Sequence, residues 1–324
     1  LDNRITDDKL GNFQPLDPSW FLKNLIGISY NTTVDAYRIE NNFSLKYYHA
    51  IGNVAPFDNL SLVPVEPHKK VAEFIGFSNA LSFRLSSHSI LKGSFEYAAR
   101  MPDADEILGN GIFTFPTVQL VPEKSLNYNF GGHWVLENTH IDSNIFYRNT
   151  KDLIFISYKD FRYPTYENKS NVQSKGIEFS VDSQLNSTIQ LGGNATWQDL
   201  RYFPDATDSD WYLYGDRLPN TPQLFANVFG QLQWKQVYCK DDTLQCNYSL
   251  YFTDSYYVLW ESQGLKNSKN KVPQQWIQQF QMTYSRSNIA LSLGVNNLGN
   301  NQAYDNFMTQ LPGRSFHLKT TISI

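Results

Sequence analysis

Stretches with a two-residue period recur along the chain, and the connections between them alternate between short and long. Successive side chains of a β-strand point to opposite faces, so Leu91, Gly93, Phe95 and Tyr97 share one face of 89–97 while Lys92, Ser94 and Glu96 share the other. Ile177, Phe179 and Val181 alternate in the same way with Gly176, Glu178, Ser180 and Asp182, and the pattern repeats over 189–197 and 289–295. Short connections fall near Ser86-Ser87, Asn138-Thr139, Asn186-Ser187 and Ser285-Arg286-Ser287. Long ones cover roughly 49–70, 101–124, 158–173, 200–221, 261–274 and 297–313. A soluble sandwich or propeller has no reason to gather every long loop at one end. A transmembrane barrel does, with short periplasmic turns and long extracellular loops. The spacing therefore predicts an all-β chain, an antiparallel transmembrane β-barrel.

Hydropathy fits that class. Mean hydropathy is -0.44, and no window approaches the roughly 18 apolar residues that a membrane-crossing helix requires. Strands that alternate apolar and polar residues keep the average low while still presenting an apolar face to lipid. The 20 Tyr and 22 Phe suit strands and interfacial girdles. Trp20, Trp134, Trp197, Trp234 and Trp276 fall near expected strand ends, where they either mark the membrane interface or pack ordinarily. A net charge of -4 gives no reason to expect a nucleic-acid partner. Leu1 opens a polar stretch, LDNRITDDKLGNFQ, without signal-peptide character, so further sequence is expected ahead of it.

Counting back from Ile324 gives about thirteen strands of about 9 to 14 residues, the first over 20–30, which suits tilted spans. An odd number makes the first strand descend from outside and leaves 1–18 as part of an external loop. Single-chain bacterial barrels have even strand numbers, and an unpaired edge in lipid costs several kcal/mol per orphaned backbone group. The span 1–324 is thus expected to be one partial transmembrane barrel domain, completed by strands outside this chain.

Catalytic sets are not found. The six His are scattered without ligand spacing, and no GxSxG, P-loop or HExxH motif occurs. No enzymatic activity, cofactor or metal is expected. Asp205, Asp208 and Asp210 in PDATDSDW are either a calcium loop or a solvated acidic loop; the glycine and closing Glu of an EF-hand are missing. Cys239 and Cys246 flank KDDTLQ and are either two free thiols or a disulfide at the base of a hairpin, as an oxidising compartment would favour. The expected long loops carry many rings: Phe161, Tyr163 and Tyr166; Tyr202, Phe203, Trp211, Tyr212 and Tyr214; Tyr256, Tyr257 and Trp260. Such rings either capture a ligand, or pack the loops together or sit in the outer girdle. Tyr163, Tyr202, Trp211, Tyr212, Tyr214 and Trp260 are the candidates for ligand capture. Arg100, Asp105, Glu106 and Glu178 are candidates for contacts with a plug or in the lumen. Gly176, on the inward face, leaves room for a plug or a packed neighbour.

Several segments, in order, resemble landmarks of the TonB-dependent receptors of the Gram-negative outer membrane. Arg100-Met101-Pro102 with Asp105-Glu106 and Leu108-Gly109 is similar to the family's entry into a long external loop. Leu120-Val121-Pro122-Glu123-Lys124-Ser125 with Asn127-Tyr128 is similar to its return. Tyr147-Arg148-Asn149 with Asp152-Leu153-Ile154, Ser174-Lys175-Gly176-Ile177-Glu178, Leu218-Pro219-Asn220-Thr221-Pro222 and Val295-Asn296-Asn297-Leu298 follow. Leu311-Pro312-Gly313-Arg314-Ser315-Phe316, leading into a strand that alternates to Ile324, resembles the family's final strand; family barrels usually end in an aromatic. The resemblance implies about thirteen C-terminal strands of a 22-stranded barrel in the bacterial outer membrane. It also implies partners outside this chain: an N-terminal plug, the remaining strands, the energy-transducing TonB complex, membrane lipid and a small-molecule or oligomeric nutrient. Import of a scarce nutrient follows as the expected function; an open porin-like or adhesin-type barrel is the alternative. A soluble all-β binding protein is the third class.

Overall fold

A computed structural model describes residues 4–6, 19–54, 57–58, 63–64, 68–108, 117, 119–157, 164–262, 271–306 and 308–323. Thirteen long strands carry the fold. They are β1 (Ser19–Val34), β2 (Ile39–Val54), β3 (His68–Ser86), β4 (Ser89–Arg100), β5 (Glu123–Leu136), β6 (Thr139–Ser157), β7 (Thr165–Gln184), β8 (Ile189–Tyr202), β9 (Leu224–Lys235), β10 (Asp242–Thr253), β11 (Gln275–Arg286), β12 (Ile289–Asn296) and β13 (Ser315–Ile322). With the segment Arg4–Thr6 on the outer side of β1 they form one 14-stranded sheet in which every strand pairs with its sequence neighbour. All pairs are antiparallel, as short hairpins and returning loops require.

The alternation of connections is present throughout. Two-residue turns join β3 to β4, β5 to β6 and β11 to β12, whereas 203–223, 254–274 and 297–314 separate strands at the opposite end. Glu137 (φ 51°) and Ser287 (φ 51°) take the left-handed conformation in two of the tight turns, which matches the twist of the flanking strands. Strand lengths depart from expectation. They run from 8 to 20 residues, and β3, β6 and β7 reach 19, 19 and 20. The upper parts of these strands continue their ladders past the apolar rows, so backbone pairing, not side-chain alternation, sets their ends. The first strand likewise runs Ser19–Val34 where 20–30 was expected.

Register sorts the two faces. Phe130 faces Ile145, Ile145 faces Ile177, and Ile177 faces Trp197, giving a continuous apolar row across four strands. The interleaved row holds Gly131, Asn144, Glu178 and Thr196, and Asn129 and Asn194 lie two residues along on the same face. Many large apolar side chains, among them Ile28, Phe130, Ile145, Val228 and Leu318, are exposed on the first face, as a lipid-facing wall demands. Phe316, Leu318 and Ile322 of β13 keep the same face, while Ile324 lies outside the described residues. Trp20, Trp197, Trp234 and Trp276 are exposed, and Trp134 packs over Gly132.

The expected disulfide is not formed: Cys239 and Cys246 are both free. The hairpin between β9 and β10 is closed instead by the Asp242 carboxylate, which accepts the N–H groups of Val237 (2.7 Å), Tyr238 (2.9 Å) and Cys239 (2.9 Å) and the Tyr284 hydroxyl (2.9 Å). Cys246 lies four residues farther up β10, between Leu232 and Met282. That is about 13 Å of strand, far beyond the reach of a disulfide from the turn.

Candidate functional site

The inward rows of β3 to β8 surround a concavity of about 500 Å³, whose polar lining includes Lys92, Asn129, Asp142, Asn144, Glu178 and Asn194. One concavity lined by six consecutive strands shows that the sheet curves around its polar face. Glu178 points inward as expected and accepts from Asn144 Nδ2 at 2.9 Å. Lys46 lies 3.4 Å from Glu96, and His133 Nδ1 lies 2.9 Å from Asp142. These charges, unaffordable towards lipid, are ordinary in a wet lumen. The room at Gly176 is filled by the wall itself: an added Cβ would meet the Phe146 ring (2.5 Å to Cζ) and the Trp197 carbonyl oxygen.

At the mouth of this lumen Arg100 ties the loop 101–122 down. Its Nη1 donates to both Glu106 oxygens (2.9 and 3.0 Å) and its Nη2 to Glu123 Oε1 (2.7 Å). Glu106 also accepts the Asp103 N–H (2.7 Å), Glu123 accepts the Ile154 N–H (3.0 Å), and Lys23 Nζ reaches Asp103 (2.5 Å). Asp105 and Glu106 sit in the first turn of the short helix Ala104–Leu108, where the backbone dipole favours acids. Ile107 of that helix is fully buried in one cluster with Phe21, Ala50, Phe74 and Leu120. Arg100 and Glu106 are therefore spent on each other and on loop geometry, and Asp105 lies on the same helical turn.

The second node joins loops. Lys169, almost fully buried, makes ion pairs with Glu167 (2.6 Å) and Asp210 (2.5 Å) and lies over the rings of Tyr202 (5.3 Å) and Trp260 (5.5 Å). The Tyr202 hydroxyl donates to Asp210 (3.0 Å), and Ser170 donates to Asp208 (2.6 Å), which also accepts the Asp205 N–H. Arg201 donates to Asp199 and to the Gly215 carbonyl (2.8 Å), and Asp216 accepts the Ser262 N–H and hydroxyl. Tyr202, Leu213, Leu218 and Trp260 form one buried cluster under these bonds. The carboxylates of Asp208 and Asp210 thus face donors of this chain, while Asp205 is exposed and joins through its backbone N–H. Among the described residues no three His, Cys, Asp or Glu side chains converge as a metal site would need.

This geometry divides the ligand-capture candidates. Tyr202 (1% exposed) and Trp260 (8%) pack the loops together. Trp211 (65%), Tyr212 (51%) and Tyr214 (69%) stand exposed on the buttressed loop, with Tyr214 edge-on to Phe203 at 5.3 Å. Tyr163 lies outside the described residues. Lys169 escaped sequence reasoning: its segment, ENKSN, looks like solvated loop, and nothing local announces a partner 41 residues away.

Burial works against ionisation of Asp210, but the hydrogen bond and charge of Lys169, with the Tyr202 hydroxyl, outweigh it and hold the carboxyl below its ordinary value of 3.8. A depressed folded-state pKa stabilises docking above the unfolded value, and that stability is lost as pH falls through the folded value. The loop 203–223 should stay docked from neutrality to about pH 4 and release only below it. Hydrogen exchange of the loop amides, normalised to the intrinsic rate at each pH, checks this; protection already lost near pH 6 would contradict it.

A family model described as TonB dependent receptor-like, beta-barrel, matches residues 3–298. A search of curated protein sequences finds no match. Solved structures share the fold at low identity. The copper transporter OprC superposes with a TM-score of 0.77 at 16% identity, covering 94% of this chain and 48% of that one. The FrpB iron transporter from Neisseria meningitidis (F3-3 variant) gives 0.72 at 10%, covering 94% and 46%. The ferric yersiniabactin uptake receptor FyuA from Yersinia pestis gives 0.69 at 14%, covering 99% and 48%. The chain thus spans about half the length of these structures.

Proposed function

The chain belongs to the TonB-dependent receptor-like β-barrel family of the outer membrane, and on that premise we propose that it forms wall and external loops of an importer that takes up a scarce nutrient. A plug contributed by sequence outside this chain fills the polar lumen, and the TonB complex supplies the energy. Copper and iron, named for two of the similar structures, put a metal ion or metal chelate first among cargoes. The protein performs no covalent chemistry. The observation that carries the reading is the pairing of an inward polar wall with a rigidly held loop presenting Trp211, Tyr212 and Tyr214 to the exterior. Exposed rings held in place by a buried ion-pair node lose little entropy when they bind.

Uptake of radiolabelled copper and ferric chelates into cells making the full-length protein tests this. Accumulation above the external concentration, abolished by a protonophore and lowered at least about tenfold in the triple Ala variant of Trp211, Tyr212 and Tyr214, is the expected result. Flux that only equilibrates and persists in the protonophore would indicate an open channel. Unchanged uptake in the variant would remove the three rings from ligand capture.

A further inference from the structure

We propose that the outer face of β5 to β7 holds a binding site for the phosphate groups of anionic lipid headgroups in the outer leaflet, formed by Lys124, Lys151 and Lys175. The site rests on the outer-membrane reading above. Register builds it. Phe130, Ile145, Ile177 and Trp197 lie side by side on the lipid-facing rows. Two residues towards the long loops, on the same face, stand Tyr128, Tyr147, Lys175 and Asp199. Four residues beyond Tyr128 and Tyr147, Lys124 and Lys151 face each other across the strands.

Tyr128, Tyr147 and Trp197 are exposed, which is the arrangement of an interfacial aromatic girdle directly above an apolar wall. Four residues of strand rise about 13 Å, less along the membrane normal for a tilted strand, so the lysines fall at headgroup level.

Charge points the same way. Lys124 and Lys151 are exposed, and neither has a carboxylate partner among the described residues. Like charges directly opposite on neighbouring strands destabilise a sheet; a phosphate between them reverses the sign. These rows carry one acid, Asp199. Both of its oxygens take Arg201 Nε (3.0 and 2.9 Å), while Lys175 stands 3.9 Å off with its side chain 61% exposed. Three cations are thus offered to an anion from outside, and the apolar rows beneath give that anion's acyl chains a surface. A free phosphate ion would make no use of those rows.

The test uses the full-length protein in bilayers of phosphatidylcholine containing brominated phosphatidylglycerol or brominated phosphatidylcholine, with tryptophan quenching as readout. The wild type should prefer the anionic lipid, and the preference should drop by about fivefold for each lysine replaced in Lys124→Gln, Lys151→Gln and Lys175→Gln, and weaken with salt. Equal preference in wild type and triple variant would overturn the site. Full competition by millimolar inorganic phosphate would assign it to a free anion and also overturn it. Quenching by brominated phosphatidylcholine reports the membrane reading separately: its absence would sink that reading, whereas its presence without anionic preference would sink this site alone.

Discussion

Replacing Lys169 with Met should release the loop 203–223 from the wall while leaving the strands paired. Lys169 is the cation between Glu167 and Asp210 and sits at 4% exposure over the rings of Tyr202 and Trp260. Removing one member of a buried ion pair strands the others, at a cost of about 3–5 kcal/mol. A penalty of that size rivals a good part of an ordinary domain's stability of about 5–15 kcal/mol. Lifting the loop lets both carboxylates hydrate, which is the cheaper outcome. The expected readout is a rise of at least about 100-fold in protease cleavage within 203–223, because about 3 kcal/mol corresponds to two decades. Exchange protection in β6 to β8 below the loop should not move. An unchanged cleavage rate would show that the hydrophobic cluster of Tyr202, Leu213, Leu218 and Trp260 holds the loop without the ion pairs.

The wall was legible in the sequence because lipid on one side and water on the other impose a two-residue period that residues such as Ile177, Glu178, Phe179 and Ser180 must obey. The turns were legible because tight hairpins need polar, small or left-handed-tolerant residues. The extension of β6 and β7 beyond the bilayer was not. There, Lys151, Asp152, Asn168, Lys169, Ser170 and Asn171 are polar on both faces, so periodicity carries no signal although the ladders continue. The loop site was half legible. Aromatic density marked the right segment, but which rings face outward depends on contacts such as Lys169 to Asp210 and Ser262 to Asp216, at separations of 41 and 46 residues. The Cys pair misled because sequence proximity hid the extended strand between them.

An arginine placed at Phe179 should cost about 2–4 kcal/mol of folding free energy, whereas one placed at Ser180 should cost less than about 1 kcal/mol. Phe179 is exposed on the apolar row, between Ser143 and Ala195 and well inside the girdle. A guanidinium there meets hydrocarbon. Ser180 is one residue along and faces inward, opposite Asp142 and Asn194. A guanidinium there meets water and a carboxylate.

The measurement that tests the account most directly is therefore an arginine scan over 177–182 in the full-length protein, with folding free energy read by urea titration into bilayers. The account predicts a sawtooth, with large losses at Ile177, Phe179 and Val181 and small ones at Glu178, Ser180 and Asp182. A flat profile, or losses concentrated at Glu178, Ser180 and Asp182, would contradict this assignment of the two faces, and a sawtooth that persists without bilayer or detergent would mean that the apolar rows form a protein core and that this sheet does not line a membrane.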